Sequence, residues 1–145
     1  MPACFDTSLL VKLYVPEPDS AGVLALAGSL TEPIVFTDFH RAEFVTALHC
    51  KEGRKEITPA QVAYALAEVN NDLRSGALIW MEADWKRVFA ATVKLSTAHA
   101  AATLCRTLDA MHIAVALHLK ARSIATKDHR QEKLAMAMGL KVLKP

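Results

Sequence analysis

Short apolar runs alternate along the chain with longer stretches whose apolar residues recur at helical spacing. The runs Ala3-Phe5, Ile34-Phe36, Leu78-Met81, Arg122-Ala125 and Lys141-Leu143 predict five strands. Thr58-Pro59-Ala60-Gln61 combines an N-cap hydroxyl, a proline at the first helical position and a glutamine at the capping-box position. Val62, Leu66, Val69 and Leu73 then repeat at helical spacing until Ser75-Gly76 ends the helix. A further helix is expected from about Asp84 to Ala101, with Trp85, Val88, Phe89, Thr92 and Leu95 on one face. Parallel strands need crossover connections, and helices between strands supply them. The expectation is therefore a three-layer α/β fold, a mostly parallel five-stranded sheet flanked by helices, with residues 1–145 forming one domain.

Composition supports a globular chain: of 145 residues, 52% are hydrophobic and 22% charged. No apolar run reaches the roughly 18 residues needed to cross a bilayer, so neither a membrane span nor a signal peptide is expected. Cys4, Cys50 and Cys105 are odd in number and widely spaced, and read as reduced core thiols of a cytoplasmic protein. The net charge of +2 hides an asymmetry: residues 1–85 carry 6 Lys/Arg against 12 Asp/Glu, and residues 86–145 carry 11 against 3. A basic C-terminal part attracts polyanions, nucleic acid among them, although a solvated face opposite an acidic partner gives the same composition.

In an open parallel sheet, ligands bind beyond the carboxyl ends of the strands. Four acids fall there: Asp6 after the first strand, Glu43 in the helix after the second, Asp109 at the start of the helix before the fourth, and Asp128 after the fourth. Asp6, Asp38 and Asp128 have a simpler reading as helix N-caps. Glu43 shares a helical stripe with Phe39, Thr46 and Cys50, which predicts an inward carboxylate. Asp109 opens a helix that is apolar nearly all round, so its first turn is expected in the interior. A buried, unpaired charge costs several kcal/mol, which a core-lining arginine or a metal ion would offset. Carboxylates with no basic residue interleaved call for a cation, and oxygen-only ligation suits Mg²⁺ or Mn²⁺ acting on phosphate esters.

These residues, with their neighbours, resemble a PIN-domain ribonuclease, and most closely the VapC-type toxins of toxin–antitoxin pairs. The resemblance spans the chain. It rests on Asp6-Thr7-Ser8, Arg41-Ala42-Glu43-Phe44, Leu108-Asp109-Ala110-Met111-His112-Ile113-Ala114, and Thr126-Lys127-Asp128 followed by Ala137-Met138-Gly139-Leu140. It implies metal-dependent endonucleolytic cleavage of RNA, with Asp6, Asp109 and Asp128 holding Mg²⁺ or Mn²⁺. Glu43 would ligate through water or orient the nucleophile. Thr126 or Ser8 would supply a hydroxyl near the metal, and Lys12, Arg106, Lys127 and Arg130 would hold the RNA backbone. A homodimer and a VapB-type antitoxin are implied partners. Phe44 and Leu48, on the outer side of the Glu43 helix, would serve either surface or the core.

Other readings remain open at this level. His112 lies three residues after Asp109, and His40 three before Glu43, which puts each pair within reach of a shared Zn²⁺. No His-x-x-x-His or Cys/His cluster accompanies them. A phosphoacceptor receiver-like domain also uses an acidic Mg²⁺ pocket with Thr and Lys, but Phe5-Asp6-Thr7 and Trp80-Met81-Glu82 fit its pattern poorly. A non-catalytic nucleic-acid-binding module would keep the same pocket without the reaction.

Overall fold

The computed structural model describes all 145 residues. The elements run β1 (Ala3–Phe5), α1 (Thr7–Tyr14), α2 (Ser20–Ser29), β2 (Ile34–Phe36), α3 (Asp38–Gly53), α4 (Pro59–Ser75), β3 (Leu78–Trp80), α5 (Trp85–Thr103), α6 (Thr107–His118), β4 (Ser123–Ala125), α7 (His129–Ala137) and β5 (Lys141–Leu143). Five short strands form one sheet in the order β3-β2-β1-β4-β5, with parallel pairing and seven helices as the connections. The expected α/β architecture, a parallel five-stranded sheet flanked by helices, is the one observed. No helix is long and apolar enough to cross a membrane.

Two compact units share the chain. The first comprises Met1–Asp6 and Glu82–Lys144, and the second Thr7–Met81 with Pro145. In the first unit, β1 pairs with β4 in the register Ala3 to Ser123, and β4 pairs with β5. Its centre is α6, where Ala110 through Ala116 are all buried. Ala110, Ala114 and Ala116 leave little side chain on that helix, which lets α5 and α7 pack against it. The turn from α5 into α6 passes through Leu104 in the left-handed region at φ 56°, a conformation costly for a leucine. Thr103 Oγ1 accepts from the Cys105 N–H at 3.3 Å and steadies that turn.

In the second unit, β2 pairs with β3, and α1 packs on α2, α3 and α4. The capping box at Thr58 and Gln61 forms as expected, and Gly76 closes α4 at φ 85°. On α3 the buried line is His40, Phe44 and Leu48, joined by Phe39. Thr46 and Cys50 are exposed and Glu43 is half-buried, so the expected Phe39–Glu43–Thr46–Cys50 stripe is corrected. The larger apolar side chains at four-residue spacing decide the inward face, and Phe44 meets Tyr14 and Phe36 edge-on there. Phe44 and Leu48 are core residues. His40 joins them because Thr37 Oγ1 sits 2.8 Å from its Nδ1. Thr37, rather than Asp38, caps α3.

Two smaller expectations also change. Phe89 is 55% exposed, while Val88, Thr92 and Leu95 form the buried face of α5. Of the three thiols only Cys4 is buried; Cys50 is exposed and Cys105 half-buried.

Candidate active site

The chain leaves β1 toward β2 and β3 and later returns on the other side of β1 to build β4 and β5. The β1/β4 pair is therefore the topological switch point, where an open α/β sheet leaves a crevice beyond its carboxyl ends. Asp6 emerges at that edge, with its N–H donating to the Ala125 carbonyl at 2.9 Å. Thr126 follows β4 and is fully buried. Its hydroxyl lies 3.5 Å from Asp6 Oδ2 and accepts the Asp128 N–H at 3.1 Å. One hydroxyl thus links the acid after β1 with the acid after β4.

Asp128 caps α7: its Oδ1 accepts from Arg130 N at 2.8 Å and Gln131 N at 3.2 Å. A carboxylate at a helix N-terminus is stabilised by the end dipole as well as by these bonds. Asp109 is the third residue of α6 and 7% exposed. Its Oδ2 reaches back to accept the backbone N–H of Arg106 at 2.8 Å, satisfying one of the donors a helix start leaves unpaired. His112, one turn further along the same helix, brings Nε2 to 3.6 Å from Asp6 Oδ1. Asp6, Asp109, Asp128, Thr126 and His112 thus gather in the first unit from β1, α6 and the β4–α7 loop.

The sequence suggested acids with no basic residue among them. The structure corrects this. The Arg106 guanidinium stands between two of the carboxylates, with Nε 3.6 Å from Asp109 Oδ2 and a terminal nitrogen 3.8 Å from Asp128 Oδ2. Both separations exceed hydrogen-bonding distance, so these are loose ion pairs. Arg106 sits only three residues before Asp109, a spacing that places both on one side of a helix start, and that spacing was the available signal.

Glu43 lies in the second unit, where Thr7 Oγ1 donates to its Oε2 at 2.7 Å. Thr7 directly follows Asp6 in the chain, and no pattern in the sequence singles out its hydroxyl. Of the two candidate hydroxyls, Thr126 joins the acids of the first unit, and Ser8 lies exposed on α1. Lys12 is turned to Asp19 at 2.7 Å and Glu17 at 3.9 Å, so its ammonium serves the α1–α2 connection. Lys127 and Arg130 are exposed beside Asp128.

No three His, Cys, Asp or Glu side chains are arranged closely enough to share one metal ion as they stand. The donor chemistry nonetheless suits a hard divalent cation. Asp6, Asp109 and Asp128 offer only oxygen, and a cationic group already compensates two of them.

Comparison with curated protein sequences returns no match. Solved structures share the fold, among them the two that follow. VapBC2 from Rickettsia felis, bound to a DNA fragment from their promoter, aligns with TM-score 0.66 at 14% identity over 99% of this chain and 98% of that one. FitAcB from Neisseria gonorrhoeae aligns with TM-score 0.63 at 15% identity over 97% and 96%. The sequence itself matches the PIN domain across residues 3–136, a span that contains all four acids and runs through both units. With the switch-point acids and the parallel sheet, that match establishes that the chain belongs to the PIN domain family.

Proposed function

We propose that this protein is a divalent-metal-dependent endoribonuclease, the VapC-type toxin of a toxin–antitoxin pair. The observation that carries the reading is the run of contacts at the switch point, in which Thr126 joins Asp6 to Asp128 and Arg106 stands beside both Asp128 and Asp109. The three acids are hard oxygen donors drawn from three separate elements. Asp6, Asp109 and Asp128 would hold Mg²⁺ or Mn²⁺, and Glu43 is the fourth acid that the family resemblance implies.

Such an ion supplies charge neutralisation at the phosphoryl oxygens and lowers the pKa of water. The chain's own groups do the positioning. Thr126 orients the Asp6 carboxylate and fixes the start of α7, and thereby Asp128. The Thr7 hydroxyl donates to Glu43, for which the family resemblance implies water-mediated ligation or orientation of the nucleophile. Lys127 and Arg130, exposed beside Asp128, would pair with backbone phosphates. The homodimer and the VapB-type antitoxin belong to the same reading. An apolar cleft of about 540 Å³ in the second unit, lined by Tyr14, Val15, Pro16, Leu24 and Tyr64, gives an antitoxin segment a surface to bury against. Membership of the PIN family removes the receiver-like alternative.

Purified, partner-free protein should cleave RNA with Mg²⁺ or Mn²⁺ and stop when chelator is added. Activity that persists in excess EDTA overturns the metal mechanism, and absence of cleavage with either ion favours the binding module. In cells, expression should arrest bacterial growth, and Asp6→Asn should relieve the arrest at matched expression.

A further inference from the structure

We infer that Arg106 is a resident counterion, which a divalent cation must displace from Asp109 and Asp128 in order to bind. The inference rests on the proposed metal site and adds to it a competitor built into the chain.

Three features point to exchange rather than to a permanent structural pair. Arg106 contacts the two acids only through ion pairs of 3.6 and 3.8 Å, too long for the bidentate geometry of a locked arginine–carboxylate pair. Its side chain is 68% exposed, so it leaves the acids without opening a cavity. The hydrogen bond that secures Asp109 comes from the Arg106 backbone N–H, not from the guanidinium. Helix capping therefore survives when the side chain swings away. In the metal-free protein the guanidinium holds together two carboxylates that would otherwise repel. A cation of charge +2 among the same oxygens repels the guanidinium and replaces it, and nothing else in the Arg106 contacts resists that exchange. Metal affinity is then set by the acids minus what Arg106 already provides.

The test uses Mn²⁺ as the probe and the full chain in low salt. Arg106→Gln keeps the backbone donor and removes the charge. By calorimetric titration this variant should bind Mn²⁺ about three- to tenfold more tightly than wild type, the range expected on removing one or two loose ion pairs made by an exposed guanidinium. Its metal-free melting temperature should fall, while its Mn²⁺-induced rise should exceed that of wild type. Arg106→Lys retains a competing cation and should return the affinity toward wild type. Lys133→Gln, an exposed charge on α7, controls for the long-range field and should change affinity less than twofold, as expected of a screened surface charge. Equal or weaker Mn²⁺ binding by Arg106→Gln, or an equal gain in Lys133→Gln, overturns the counterion role and leaves the metal site standing. Failure of wild type and Arg106→Gln alike to bind Mn²⁺ overturns the metal reading and this inference together.

Discussion

Asp109→Asn separates two opposing electrostatic effects at one position. If uncompensated repulsion among the acids dominated the metal-free protein, neutralising Asp109 would stabilise it. The structure argues for the opposite sign. The carboxylate accepts a 2.8 Å bond from the Arg106 backbone N–H in the first turn of α6, and Asn retains that bond only in its weaker, neutral form. A bond to a charged group contributes about 1 kcal/mol more than a neutral one. The charge near the helix N-terminus adds roughly 0.3–1 kcal/mol. The loose pair with the exposed Arg106 guanidinium adds well under ~1 kcal/mol after screening. Because that guanidinium also faces Asp128, it already cancels much of the repulsion that the substitution would relieve. The net expectation is a loss of about 1 kcal/mol, or roughly 4 °C in Tm for a chain of this length. Melting in EDTA measures it. Mn²⁺ at about a hundred times its Kd should then stabilise wild type by about 2.7 kcal/mol and the variant much less. A metal-free variant that melts at or above wild type shows that repulsion dominates and refutes the compensation by Arg106. A variant that keeps the full Mn²⁺ shift returns Asp109 to the role of a helix-terminal carboxylate.

Three further outcomes follow from other parts of the molecule. Thr126→Val removes the only acceptor given to the Asp128 N–H and should cost about 1–2 kcal/mol in denaturant unfolding, with Thr126→Ser close to wild type; an unchanged midpoint in the valine variant refutes the hydroxyl bridge. Pairing with Arg54 and Lys51 holds Glu56 down at about 2, so its contribution is complete above about pH 4.5 and is lost as pH falls through 2. Glu56→Gln should flatten that part of the acid-unfolding profile, and because the pair is exposed, high salt should shrink the difference. Burial pushes the Cys4 thiol up to about 12, so at pH 8 an aromatic disulfide reagent should label Cys50 first and Cys4 only on unfolding; native-state labelling of Cys4 at the Cys50 rate contradicts its burial.

Much of the fold was readable because its signals are local. A proline and two capping side chains fixed the start of α4, and short β-branched and apolar runs between helical stretches fixed the strands. The positions of Asp6, Asp109 and Asp128 were readable for the same reason, since each sits at a junction between elements. What escaped depends on choices made in three dimensions. On α3, two stripes one residue apart compete, and the one carrying Phe44 and Leu48 wins by apolar volume, with Thr37 satisfying His40. The Arg106 bridge joins side chains from α6 and the β4–α7 loop, and no periodicity in the sequence reports a rotamer. Thr7 followed the most conspicuous acid of the chain, but its hydroxyl found its partner on α3.

The central claim is that the acids after β1, at the start of α6 and after β4 hold a divalent cation. Anomalous diffraction at the manganese edge from Mn²⁺-soaked crystals tests it without knowledge of the RNA substrate. The account predicts a peak in contact with the carboxylates of Asp6, Asp109 and Asp128, with the Arg106 side chain displaced from Asp109. A peak elsewhere on the chain, or none at saturating Mn²⁺, would contradict it.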